Sequence, residues 1–130
     1  MKQSEFTYSP ENIVWILPYL YSIREGLSPF ESEFKVRHEQ ANTQATFVKW
    51  CELAALINNR IDKCGNDGLL VRWFYCESHP IKQVAKAQSL PVAIALKKID
   101  WVILYISGRK EREISYSYWA DLRRRHFKIT

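Results

Sequence analysis

Glycine is scarce, at 4 of 130 residues. That shortage argues against a turn-rich all-β architecture and against a glycine-rich phosphate loop. Long apolar runs are missing too. Residues 13–21, interrupted by Pro18, and residues 101–106 are the longest, well short of the roughly 18 residues a membrane helix needs. The opening Met1-Lys2-Gln3-Ser4-Glu5 carries an acid and no apolar stretch, so no secretory signal is expected. These absences lead to the expectation of a cytoplasmic protein with no membrane partner.

Cysteine is limited to Cys51, Cys64 and Cys76, odd in number and without a C-x-x-C pair, so no disulfide framework is expected. Cys76-x-x-His79 supplies one close ligand pair where a structural zinc site ordinarily takes two, so no metal is expected either. Catalytic signatures of the G-x-S-x-G, H-E-x-x-H and G-x-x-x-x-G-K-[ST] types are absent. His38, His79 and His126 stand in unrelated contexts. Glu31, Glu33 and Lys35 match the residue types of a metal-dependent nuclease, but they fall in a polar connection bounded by Pro29 and Gly26. Holding Mg²⁺ needs carboxylates on rigid neighbouring elements. The expectation is a protein that is not an enzyme and carries no cofactor.

What is present is ample apolar material: 5 Trp, 7 Tyr and 6 Phe in a chain that is 47% hydrophobic. That fills one real core, and 130 residues make one domain, or one domain with an attached tail. Charge is unevenly spread. Residues 1–79 carry 8 Lys/Arg against 10 Asp/Glu, whereas residues 80–130 carry 11 against 4, a net of +7. Cations gathered into one contiguous third are commonly presented to a polyanion, since phosphate contacts release condensed counterions.

Periodicity predicts an all-α fold of five or six helices. Residues 11–21 read as an aromatic helix that either kinks at Pro18 or gives way there to a second short helix. Thr43 reads as the N-cap of the longest helix, whose Phe47, Trp50, Cys51, Ala54, Ile57 and Ile61 recur at three- and four-residue spacing until Gly65. Asp67 reads as the cap of a helix that turns Leu69, Leu70, Trp73 and Phe74 inward. Pro80 then opens a short helix over 81–88, and Pro91 a longer one over 92–106 with Val92, Leu96, Ile99, Val102, Ile103 and Ile106 on its inward face. In the last segment Ile114, Tyr116 and Tyr118 alternate like a strand, while Trp119, Leu122 and His126 fall at helical spacing; a helix from about Ser117 is favoured. The chain divides into an aromatic, slightly acidic part (1–66) suited to oligomerisation or a partner, a helix-turn-helix part (67–108) and a basic C-terminal tail or helix (109–130).

The segment PIKQVAKAQSLPVAIALKKIDWVILYISGRKER, residues 80–112, carries a resemblance. Ile81, Val84, Ala85, Ser89, Lys97 and Lys98 lie in an I-x-x-V-A, turn, basic-helix arrangement. It resembles the helix-turn-helix of region 4 in bacterial sigma factors and in small phage or prophage transcriptional regulators. About 50 residues are covered, counting the basic close Arg109, Lys110 and Arg112 and the Ser115, Tyr116, Trp119 cluster. The resemblance implies binding of double-stranded DNA, with RNA polymerase or another host protein as a further partner. Two departures stand out: Gln88 and Ser89 occupy a turn where glycine is common, and the first turn of helix 92–106 has few polar residues for reading bases.

On that reading helix 92–106 lies in the major groove. Ala93, Ile94, Lys97 and Lys98 (with Trp101) make its outward side, and Lys82 and Lys86 meet the flanking backbone. Arg109, Lys110, Arg112, Arg123, Arg124, Arg125 and Lys128 add non-specific affinity. Two other readings stay open. A small terminase-like DNA-packaging subunit would form a ring, and a protein-interaction module inhibiting a host protein would bind no DNA.

Overall fold

The computed structural model describes residues 8–24 and 43–127, and among them every regular element is helical. Helix α1 spans Pro10–Ile16. The Ser9 side chain accepts the Asn12 amide, and Pro10 occupies a first-turn position where its missing N–H costs nothing. Pro18 does not end the structure. It sits in a single 3₁₀ turn, Leu17–Tyr19, that passes the chain into α2 (Leu20–Arg24). Ile13, Ile16, Leu17, Leu20 and Ile23 are all buried along this bent rod.

Helix α3 runs Thr43–Asp62 and buries Trp50, Leu53, Ala54, Ile57 and Ile61. The turn at Gly65, in the left-handed region at φ +59°, leads straight into α4 (Gly65–Val71). Asp67 is therefore inside the first turn of α4 rather than its cap. The boundary at 66/67 lies within this helix, and a single buried cluster draws residues from both sides of it. Gly68 is the close-approach point, since a Cβ there would lie 2.4 Å from the Ile61 carbonyl oxygen. The chain continues as a π-helical turn, Arg72–Cys76, closed by the Glu77 amide on the Arg72 carbonyl at 2.9 Å. The wider turn shifts the phase of the side chains. Leu70 and Val71 are buried, whereas Trp73 and Phe74 are only half-buried and Leu69 faces out.

Helices α5 (Ile81–Ala87) and α6 (Val92–Ile106) follow, each entered from a proline in extended conformation. Val84 and Ala85 bury against α6, where the small Ala85 permits a close crossing. The four connecting residues, 88–91, form a Schellman ending. The Leu90 amide bonds the Ala85 carbonyl at 2.9 Å and the Ser89 amide bonds the Lys86 carbonyl at 3.0 Å. Ser89 pays for it with φ +56°. Glycine is free of that strain, so Ser89→Gly should raise stability by about 0.5–1 kcal/mol in urea denaturation. A neutral or lower value would contradict this backbone geometry.

Helix α6 is the central element, with Ala95, Ile99, Trp101, Val102, Ile103, Tyr105 and Ile106 buried. Ile99, Val102, Ile103 and Ile106 lie inward as expected, but two positions differ. Leu96 is 41% exposed and Trp101 only 3%. The last helix, α7 (Tyr116–Phe127), replaces the strand-like alternation. It docks through Tyr116 and Trp119, whose rings meet Tyr105 at 5.2 and 5.4 Å in edge-on geometry. The Tyr105 hydroxyl also donates to the Ile114 carbonyl. No described helix is long and apolar enough to cross a membrane.

Candidate nucleic-acid interface

Some cations of the basic third are covered by the fold and others are exposed. Lys98 is among the covered ones. Its Nζ lies 3.5 Å from Asp67 Oδ1, and both side chains are largely covered. Asp67 Oδ2 also accepts the Tyr116 hydroxyl at 2.8 Å, so one carboxylate ties α4, α6 and α7 together. Burial, followed by the Asp67 charge, drives the Tyr116 phenol far above its ordinary range. The same causes push the Cys64 thiol up to about 12, so this cysteine stays protonated and is no nucleophile.

Arg112 is also taken up by the fold. Its Nε and Nη2 donate to the Tyr105 and Leu104 carbonyls at 3.1 and 3.0 Å, capping the end of α6, and the guanidinium stacks 5.3 Å from the Trp119 ring. Arg123 covers the same ring at 4.7 Å. Arg124 and Arg125 both pair with Asp121, at 3.5 and 2.8 Å, while remaining solvent-exposed. Such pairs are worth little and open readily to a competing phosphate.

At the surface are Lys82 and Lys86, one turn apart on α5, and Lys97 on α6. Ala93 is exposed beside Lys97, and Ile94 is half-covered. Arg109 and Lys110 are exposed in the loop after α6, roughly 14 Å of helix beyond Lys97. Lys128 lies outside the described residues, as do His38 and the Glu31, Glu33, Lys35 group. The exposed positions of α6 form one stripe: Ala93, Leu96, Lys97 and Asp100. Asp100 ends the region favourable to phosphate.

Beyond Asp100 the surface changes character. An open groove of about 550 Å³ is lined by Pro10, Glu11 and Val14 of α1, Tyr75 of the π turn, and Asp100, Ile103 and Leu104 of α6. Burial and then the Asp100 charge raise the Tyr75 phenol above its usual value. Two carboxylates make this groove unsuited to a polyanion.

Arg60 was not among the candidate residues. It is 3% exposed on α3 and donates from Nη1 to the Ile106 and Gly108 carbonyls, both at 2.8 Å, and from Nη2 to the Arg109 carbonyl at 3.2 Å. It thereby fixes the loop that presents Arg109 and Lys110. Its signal was in the spacing, since Arg60 follows Leu53 and Ile57 on the apolar stripe of α3. His79 Nε2 sits 3.3 Å from Glu77 Oε1 and pairs with that residue. Among the described residues no cluster of three His, Cys, Asp or Glu side chains is placed to hold a metal ion. Comparison with known proteins finds no matching family, curated relative or solved structure.

Proposed function

We propose that this chain binds double-stranded DNA through α5 and α6 acting as a helix-turn-helix, in a phage- or prophage-type regulator of transcription resembling sigma region 4. The observation that carries the reading is the joined pair itself: a short helix, a Schellman turn and a longer helix, with Lys82, Lys86 and Lys97 exposed on it. In this arrangement the first turns of α6 enter the major groove while α5 lies along the backbone. Lys82 and Lys86 contact phosphates, and Lys97 reaches phosphate or base edge. Lys98 contributes through the fold, by holding Asp67, rather than through contact. Arg109, Lys110, Arg124 and Arg125 add affinity without sequence information.

Ala93 and Leu96 at the leading turn offer apolar contact and no hydrogen-bond donors, so base readout is narrow and phosphate contact dominates. The test is a fluorescence-anisotropy titration of the Lys82→Ala, Lys86→Ala double variant against the parent chain. Removing two phosphate contacts should weaken duplex binding and lower the salt slope by about 2. An unchanged slope would remove α5 from the interface.

A further inference from the structure

We propose that this chain assembles head to tail, the exposed face of α7 from one copy seating in the groove between α1 and α6 of the next. On α7 the residues Tyr116, Trp119 and Ala120 are buried, and the remaining face carries Tyr118 and Leu122, 56% and 42% exposed, followed by Arg125. Tyr118 and Leu122 make an i, i+4 apolar pair, with the charge of Arg125 at i+7 on the same face, a spacing by which a helix lies in a groove. The groove supplies the complement. Val14, Ile103 and Leu104 form an apolar floor, and Glu11 and Asp100 stand beside them. Its volume of about 550 Å³ is of the size that holds a few buried side chains.

Charge selects this occupant over others. Helix α7 carries Arg123, Arg124 and Arg125 against Asp121 alone, whereas the groove presents two carboxylates and no cation among its lining residues. Tyr118 and Leu122 are the anchors, with Arg124 and Arg125 turning from the shared Asp121 toward Glu11 and Asp100 of the neighbour. Groove and helix are different surfaces of one molecule, so the contact is heterologous. It closes into a ring or extends as a filament.

Sedimentation velocity on the full chain tests this, with Asp100→Lys spoiling the groove and Leu122→Asp spoiling the helix. Both positions are exposed, so both variants keep the parent's circular dichroism. The parent should associate with rising concentration and less at higher salt, and each variant should associate about 30-fold more weakly. Mixing the two variants should restore a single interface, the intact α7 of one in the intact groove of the other, giving a 1:1 dimer and nothing larger. A parent chain monomeric up to about 1 mM, variants that assemble like the parent, or a mixture that stays monomeric would each overturn the proposal.

Discussion

Replacing Arg60 with methionine should cost about 3–4 kcal/mol and lower Tm by about 10–15 °C. Methionine keeps much of the stem's volume but offers no donor. The carbonyls of Ile106, Gly108 and Arg109 then lose the guanidinium that now binds them at 2.8, 2.8 and 3.2 Å. The Ile106 bond is fully buried, so water cannot readily replace the missing partner. The Tyr8 ring, whose centroid is 5.8 Å from the guanidinium carbon, loses its cation as well. Arg60→Lys should recover part of the loss, because an ammonium keeps the charge but cannot reproduce the planar fork. Thermal melts of the two variants decide it. A loss under about 1 kcal/mol for the methionine variant, typical of an ordinary surface change, would mean that Arg60 does not clamp the loop after α6.

Gly68→Ala should cost about 2–3 kcal/mol although the position is helical. In an open helix the same change would stabilise by about 1 kcal/mol. Here the new Cβ would stand 2.4 Å from the Ile61 carbonyl oxygen and 3.2 Å from the Ile61 Cγ2. A backbone oxygen cannot swing aside as a long side chain does, so α4 must move off α3. Gly65→Ala provides the contrast: nothing lies within 4 Å, and its only cost is the left-handed backbone at φ +59°, about 1–2 kcal/mol. Urea denaturation at constant m separates the cases. A neutral or stabilised Gly68→Ala would refute the close approach of the two helices.

Much of the helix plan was legible because prolines punctuate it. Pro80 and Pro91 mark the entries to α5 and α6, and the 92–106 span of α6 agrees residue for residue. The inward face of α6 was harder to read. Residues 92–96 are all apolar, so periodicity has no polar phase to lock onto there. Packing instead puts Trp101 inside and leaves Leu96 at the surface. The π turn at Arg72–Cys76 likewise breaks the 3.6-residue phase that placed Trp73 and Phe74 in the core.

The candidate site was legible as charge but not as geometry. Counting cations singled out the last third of the chain, yet Lys98 meets Asp67 across 31 positions of sequence and Arg112 folds back on the end of α6. The first pairing is tertiary, and the second depends on how the loop after α6 folds back over seven to eight residues. No local pattern distinguishes them from Lys82 or Lys97, which remain exposed.

The most direct test of the DNA-binding account is a titration of the unmodified chain into random-sequence duplex DNA, followed by fluorescence anisotropy at roughly 50 and 200 mM salt. The account predicts binding at the lower salt and a loss of about two to three orders of magnitude at the higher, as several released counterions require. No binding at the lower salt would contradict it and leave the basic third to meet an acidic protein surface instead.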